Sequence, residues 1–232
     1  MIIGHIGARK GSKGVLRKNF KSLAGKPLID WSLDQLINSS KIDIVVVSTD
    51  DEDIYDHSIR KGTLDIGLRP FELSDDKTSK WNVWQHSLQE TEKKVGEIEL
   101  FVDLDCTSPL REIEDINNSI ELFLEKKPDM VMSCCIARKN PYFNLVELDE
   151  NGSLKISKKP KVEIHSRQNV PIVYEHAAST YVLDPNYLKN AVSLYEGYVI
   201  PYIMPSERCW DIDSEFDFKI VEFLMYEKNI KR

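Results

Sequence analysis

Cysteine is scarce in this chain, with 4 among 232 residues. Cys134 and Cys135 are adjacent in an apolar segment, Cys106 and Cys209 stand alone, and no C-x-x-C spacing occurs. A disulfide framework or a cysteine zinc site is therefore not expected, and small buried thiols are the expected role. Long apolar runs are missing too, and nothing approaches the roughly 18 residues of a membrane-spanning helix. The apolar opening is short and precedes the first charges, the reverse of a signal peptide, so a cytoplasmic protein is expected. The five histidines (His5, His57, His86, His165, His176) show no metal spacing, and no Ser/His/Asp or Cys/His arrangement stands out. Neither an internal repeat nor a low-complexity segment is present. Positive charge is in deficit, with a formal net charge of -7, which argues against general nucleic-acid binding. Hydrophobic content of 41% and charged content of 30% are ordinary for one globular domain spanning 1–232.

One stretch reverses the charge balance. From Met1 to Lys26 there is no Asp or Glu, yet seven Lys or Arg occur (Arg9, Lys10, Lys13, Arg17, Lys18, Lys21, Lys26). Met1-Ile2-Ile3-Gly4-His5-Ile6 reads as a short buried strand, and residues 7 to 19 follow as a glycine-rich cationic loop. Glycines let backbone N–H groups approach phosphate oxygens, and Lys and Arg supply the charge, so the loop suits a polyphosphate. A basic surface loop with turn glycines is the plainer alternative. Two familiar phosphate motifs do not fit. The P-loop pattern from Gly7 requires glycine where Ser12 stands and Ser or Thr where Gly14 stands. Gly7, Gly11 and Gly14 are also spaced wrongly for the dinucleotide fingerprint.

Strand-like and helix-like stretches alternate beyond the loop. Ile42 to Ser48 reads as a buried parallel strand, between helices over Leu28 to Ile37 and Glu52 to Lys61. A helix over Ser79 to Lys94, a strand over Ile98 to Leu104, a helix over Glu112 to Lys127 and a strand over Asp129 to Ile136 follow. From Ala137 to Pro171 prolines become frequent, and Asp149-Glu150-Asn151-Gly152 signals a turn in an inserted hairpin arm. Strands over Thr180 to Leu183 and Tyr198 to Met204 precede a closing helix from about Ser214 to Tyr226. This alternation predicts an α/β fold with an open, parallel, doubly wound sheet. Ligands bind at the carboxyl ends of such strands, which gathers the first loop, Ser48-Thr49-Asp50-Asp51 and Asp105 to Arg111 at one edge.

Asp211-Ile212-Asp213 precedes the last helix. In an extended segment alternate residues point the same way, so both carboxylates can face one spot and serve magnesium beside a triphosphate. Helix capping by Asp213 or Ser214 is the competing explanation, and the two roles are compatible. Thr107-Ser108-Pro109-Leu110-Arg111 offers hydroxyls and a guanidinium, or simply a strand-to-helix turn.

Taken in order, Arg9-Lys10-Gly11-Ser12-Lys13-Gly14, Arg17-Lys18-Asn19, Leu23-Ala24-Gly25-Lys26-Pro27-Leu28-Ile29, Ser48-Thr49-Asp50-Asp51, Arg69-Pro70, Thr107-Ser108-Pro109-Leu110-Arg111, Arg167-Gln168-Asn169-Val170-Pro171 and Asp211-Ile212-Asp213 resemble the CMP-sialic acid synthetase (acylneuraminate cytidylyltransferase) family. The resemblance spans nearly the whole chain. It implies a Rossmann-like, three-layer, mixed but mostly parallel sheet of the nucleotide-diphospho-sugar transferase type. It also implies a homodimer joined through an arm at about 138–175. The implied reaction transfers CMP from CTP to the anomeric hydroxyl of a nonulosonic, 2-keto-3-deoxy sugar acid, releasing pyrophosphate with Mg2+. Arg9, Lys18 and Asp211 are the implied catalytic residues. Ala8, Arg9, Gly11, Ser12, Lys13, Asn19, Arg69 and Ser79 are the implied nucleotide contacts. Asp105, Thr107, Gln168 and His176 fall on the sugar side, and Asp211 and Asp213 match the metal pair. A nucleotidyltransferase for a different sugar, or a non-catalytic CMP-sugar-binding homologue, are the competing readings.

The chain departs from the family pattern in places. Lys10 stands where glycine is usual, Leu16 where proline is usual, and Asp105-Cys106 replaces Gln-Pro. Glu175-His176-Ala177-Ala178-Ser179-Thr180 stands where Glu-Asn-Gly is common. The changes gather on the acceptor side and point to another sugar acid, such as legionaminic or pseudaminic acid, in place of N-acetylneuraminic acid.

Overall fold

The β-branched run Ile44–Ser48 forms a strand buried on both faces, one of six in a twisted sheet. The structure is a computed structural model and describes residues 1–11, 14–75, 77–159 and 167–230. Its strands are β1 (Ile2–Gly7), β2 (Ser22–Leu23), β3 (Lys26–Pro27), β4 (Ile44–Ser48), β5 (Leu100–Leu104), β6 (Met130–Ile136), β7 (Val146–Leu148), β8 (Leu154–Ile156), β9 (Tyr174–Leu183) and β10 (Val199–Ile203). The helices are α1 (Leu28–Ile37), α2 (Glu52–Arg60), α3 (Lys80–Val95), α4 (Ile113–Lys126), α5 (Pro185–Asn190) and α6 (Glu215–Ile230).

The sheet order is β10-β6-β9-β5-β1-β4. All its pairings are parallel except those of β9, which runs antiparallel between β5 and β6. This is the mixed, mostly parallel α/β sheet that the resemblance implies; the wholly parallel sheet predicted from the alternation is broken by β9, which returns antiparallel between β5 and β6. The strand predicted at 180–183 begins earlier, at Tyr174, where pairing with Cys134–Ile136 of β6 extends it; residues 174–176 are exposed and carry no apolar pattern to show this in sequence. Helix α5 was not predicted; it is short, and Pro185 opens it behind the Asp184 cap.

Two apolar layers cover the sheet. Leu33 and Leu36 of α1, Ile54 of α2 and Ile116 and Ile120 of α4 pack on one face with Val45, Val47 and Val102. Trp81, Trp84 and Leu88 of α3 pack on the other with Ile3, Phe101 and Leu183. A third cluster lies at the sheet's edge, where Val15 of the first loop, Leu23, Leu28 and Leu110 meet Ile212, Phe218, Val221 and Met225. Burying these apolar groups, at roughly 25 cal/mol per Å², fixes α6 over the beginning of the chain. The predicted hairpin arm is present as β7 and β8, and its residues Val146, Leu148 and Leu154 are exposed.

Candidate active site

The ends of β1, β4 and β5 open onto two adjoining cavities that share Gly7 and Arg9. One, of about 300 Å³, is lined by Gly7, Arg9, Gly11, Gly14, Lys18, Asn19, Thr107 and Asp213. The other, of about 310 Å³, is lined by His5, Gly7, Arg9, Arg69, Leu73, Asp75, Thr78, Lys80, Val83, Trp84 and Asp105. A larger hollow of about 550 Å³ between α1, the 109–114 turn and Met225 contains none of the residues expected at the site.

The first cavity joins the cationic loop to the carboxylate segment. Lys18 lies in a 3-10 turn (Lys18–Phe20) entered through Arg17, whose φ of 49° is left-handed. Arg17 is held there by its guanidinium, 2.6 Å from Asp53 Oδ2 at the start of α2. Lys18 Nζ donates to the Ile212 carbonyl at 2.6 Å and stands 3.9 Å from Asp213 Oδ1. Asn19 is buried and donates to the Arg9 carbonyl at 3.2 Å, which ties the loop back on itself. The Lys10 amide donates to Asp50 Oδ1 at 2.8 Å. Ser12 and Lys13 lie outside the described residues.

Ile212 is fully buried and donates its amide to the Thr107 carbonyl at 2.9 Å. Asp211, half-buried, and Asp213, exposed, flank it. Capping of α6 falls to other residues: Ser214 N and Oγ donate to Asp217 Oδ2 at 2.8 and 2.7 Å, and Asp217 N returns a bond to Ser214 Oγ at 3.2 Å. Neither Asp211 nor Asp213 contributes its carboxylate to that cap. Burial, and then the neighbouring Asp213 charge, push the Asp211 carboxyl above the usual carboxylate range. A half-buried acid beside a second acid gains from a cation, so the pair fits a divalent metal. Among the described residues no three His, Cys, Asp or Glu side chains form a metal cage. Two carboxylates completed by substrate phosphates and water are what magnesium takes.

The second cavity is floored by a buried charge network that sequence reasoning missed. His5, Asp103 and Tyr181 sit side by side across β1, β5 and β9. His5 Nδ1 lies 2.6 Å from Asp103 Oδ1, and Nε2 lies 3.0 Å from Ser87 Oγ on α3. Lys80 Nζ stands 2.8 Å from Asp103 Oδ2 and 2.6 Å from Asp105 Oδ2. Burial lowers the His5 value and outweighs the Asp103 contact that raises it, so the ring is neutral. Burial also works against the charges on Lys80 and Asp103, yet their mutual attraction wins, raising Lys80 and lowering Asp103. The available signal was a lone His and a lone Asp in apolar strands, since a polar group buried in a sheet must find a partner.

The remaining expected residues fall as follows. Ala8 is fully buried, and its amide continues the ladder to the Ser48 carbonyl at 2.9 Å, so that N–H is already taken. Arg69 is buried with Nε 3.0 Å from Ser48 Oγ, and burial lowers its guanidinium to about 10. Ser79 caps α3 by accepting from the Asn82 amide at 3.2 Å and lines neither cavity, unlike its neighbours Thr78 and Lys80. Gln168 lies exposed in a 3-10 turn of the arm (Arg167–Asn169), away from both linings. His176 packs edge-on to Tyr181, ring centroids 5.5 Å apart. Arg111 is a brace: fully enclosed, it donates to the Ser179 carbonyl at 3.0 Å, the Asp105 carbonyl at 2.8 Å and Ser32 Oγ.

Residues 3–228 match the profile of a family described as Cytidylyltransferase. The chain is 35% identical over 230 residues to the CMP-N,N'-diacetyllegionaminic acid synthase of Campylobacter jejuni, covering 99% of this chain and 97% of that protein. It is 34% identical over 231 residues to post-translational flagellin modification protein B of Campylobacter coli, covering 99% and 97%. The solved structure of CMP:2-keto-3-deoxy-manno-octonic acid synthetase complexed with CTP superposes with a TM-score of 0.70 at 16% identity, over 98% of this chain and 99% of that one, and so shares the fold. With its matching profile and its near-full-length relatives, this chain belongs to the cytidylyltransferase family.

Proposed function

We propose that this protein transfers CMP from CTP to the anomeric hydroxyl of a nonulosonic acid, releasing pyrophosphate, as a magnesium-dependent homodimer in the cytoplasm. The observation that carries the reading is the contact of Lys18 with the Ile212 carbonyl and, at 3.9 Å, Asp213. It brings the ammonium of the cationic loop to the Asp211–Asp213 segment, and a triphosphate with its metal would call for charges of both signs there.

In-line attack on an α-phosphorus needs charge neutralisation and alignment more than covalent catalysis. Arg9, which lines both cavities, and Lys18 would hold the β- and γ-phosphates and stabilise the departing pyrophosphate. Asn19 keeps the Arg9 backbone in place through its amide. Arg69 would face the cytidine from the second cavity, with Asp105 and His176 toward the acceptor. Asp211 and Asp213 would hold magnesium, which when bound supplies positive charge at the α-phosphate and acidity at the sugar hydroxyl.

The arm supports the dimer. Two strands cannot be stable alone, and Val146, Leu148, Leu154 and Ile172 expose apolar surface that a second copy would cover. No helix among the described residues is long and apolar enough to cross a membrane. The test is pyrophosphate release from each of the four nucleoside triphosphates, with magnesium and with EDTA, against legionaminic, pseudaminic and N-acetylneuraminic acids and an eight-carbon 2-keto-3-deoxy acid. Release with CTP and a nine-carbon acid, abolished by EDTA, is the expected result. CTP binding without release from any acid would mark a non-catalytic homologue.

A further inference from the structure

The Lys80 network is not used by the phosphate chemistry just described. Lys80 opens α3, and its ammonium stands 4.2 Å from the centre of the Tyr181 ring and 5.0 Å from that of Trp84. Its two carboxylate partners differ in access. Asp103 is fully enclosed and already shares its other oxygen with His5, whereas the Asp105 side chain is 23% exposed. Asp105 lines the second cavity and Asp103 does not. Arg111 fixes the Asp105 carbonyl from below at 2.8 Å. Only Asp105 can therefore meet a ligand.

A bare carboxylate here faces a difficulty, because the acceptor brings a carboxylate of its own and the donor brings a triphosphate. Like charges in a partly buried cleft repel strongly. Lys80 removes that repulsion. An ion-paired carboxylate still has lone pairs to offer and no hydrogen to donate, unlike the amide usual at this position.

We propose that Lys80 is a specificity-determining residue for the acceptor. Its pairing with Asp105 makes position 105 a charge-compensated, acceptor-only contact. The site thereby selects a sugar acid that presents a hydroxyl or amide N–H at that point. This rests on the cytidylyltransferase reading above.

The test is steady-state kinetics of Lys80→Met, Asp105→Asn and the double variant, with CTP and the acid preferred by the parent enzyme. Lys80→Met should raise the KM for the acid about tenfold or more and leave the KM for CTP within about twofold, since the unpaired charge faces the acid. Adding Asp105→Asn should bring the KM for the acid back to within about threefold of the parent. Asp103 stays uncompensated in both, so their melting temperatures should remain alike, and the rescue is one of recognition. Should Lys80→Met fail to fold, Asp105→Asn alone decides. It should narrow the parent's discrimination between the preferred acid and deoxy or de-N-acyl analogues. An unchanged KM for the acid in Lys80→Met, a KM for CTP that rises in step, or unaltered discrimination in Asp105→Asn overturns the proposal. A parent enzyme inactive with every acid overturns the underlying function instead.

Discussion

A Cβ on Gly14 would lie 1.8 Å from the carbonyl oxygen of Asp213, so the cationic loop and the carboxylate segment touch backbone to backbone. No side chain fits between them, and this is why glycine occupies a position where a P-loop would carry Ser or Thr. Gly11, in contrast, has no atom within 4 Å of a Cβ built on it.

Gly14→Ala should therefore push the Asp213 segment away from Lys18. Misplacing catalytic groups by an ångström costs about 100-fold in rate, and kcat/KM should fall by about that much. Gly11→Ala meets no protein atom, so its fold should be undisturbed and any loss should appear in the KM for CTP, because Gly11 lines the first cavity. Circular dichroism should show both variants folded.

Asp211→Ala should abolish turnover with the fold intact, and near-normal activity in that variant would remove the metal role. Ser214→Ala separates capping from catalysis. Losing this cap should cost about 1 kcal/mol, read from urea denaturation, while kcat stays near the parent value.

Arg111 has no exposed work to do. Arg111→Met strips the Ser179 and Asp105 carbonyls of a donor they share. Both carbonyls keep a backbone donor, from the Asp105 and Ser108 amides, but losing hydrogen bonds to a charged group costs about 1.5–3 kcal/mol each, so a loss of several kcal/mol in denaturant unfolding is expected. A variant as stable as the parent would show that the brace is dispensable.

His5 couples stability to pH. Its folded value lies below the ordinary 6.5 because burial disfavours the charged ring, with Asp103, Arg69, Lys80 and Ser87 around it. In the window between that lowered value and 6.5 the unfolded chain binds a proton that the folded chain does not. Stability contributed by the neutral ring is thus present above 6.5 and lost as pH falls below it. Denaturation at pH 7.5 and 5.5 should show this loss, and His5→Asn should flatten it. His86 and His176 shift in the same direction and leave a residual slope.

Local features were legible from residues alone. The apolar spacing around Ile116 and Ile120 located α4, and the turn glycine at Gly152 located the hairpin. Contacts set by register were not legible. His5 and Asp103 are 98 positions apart and meet because β1 and β5 pair in one register. Lys80 reaches both acids because α3 docks on that same face. Ser79, placed beside cytidine only by the family resemblance, accepts from the Asn82 amide as the cap of α3.

The bond from Lys18 to Ile212 spans 194 positions of chain. A ribosome adding about 5–20 residues per second needs on the order of 10–40 s to make that stretch. During that time Val15 and Leu23 lack their partners on α6, and Lys18 lacks the Ile212 carbonyl. The sheet itself is completed late, by Val199–Ile203, and α6 follows it. The first loop gains its apolar cover only when the last helix docks, so a truncation between residues 203 and 212 should keep all six sheet strands and leave Val15 and Leu23 uncovered.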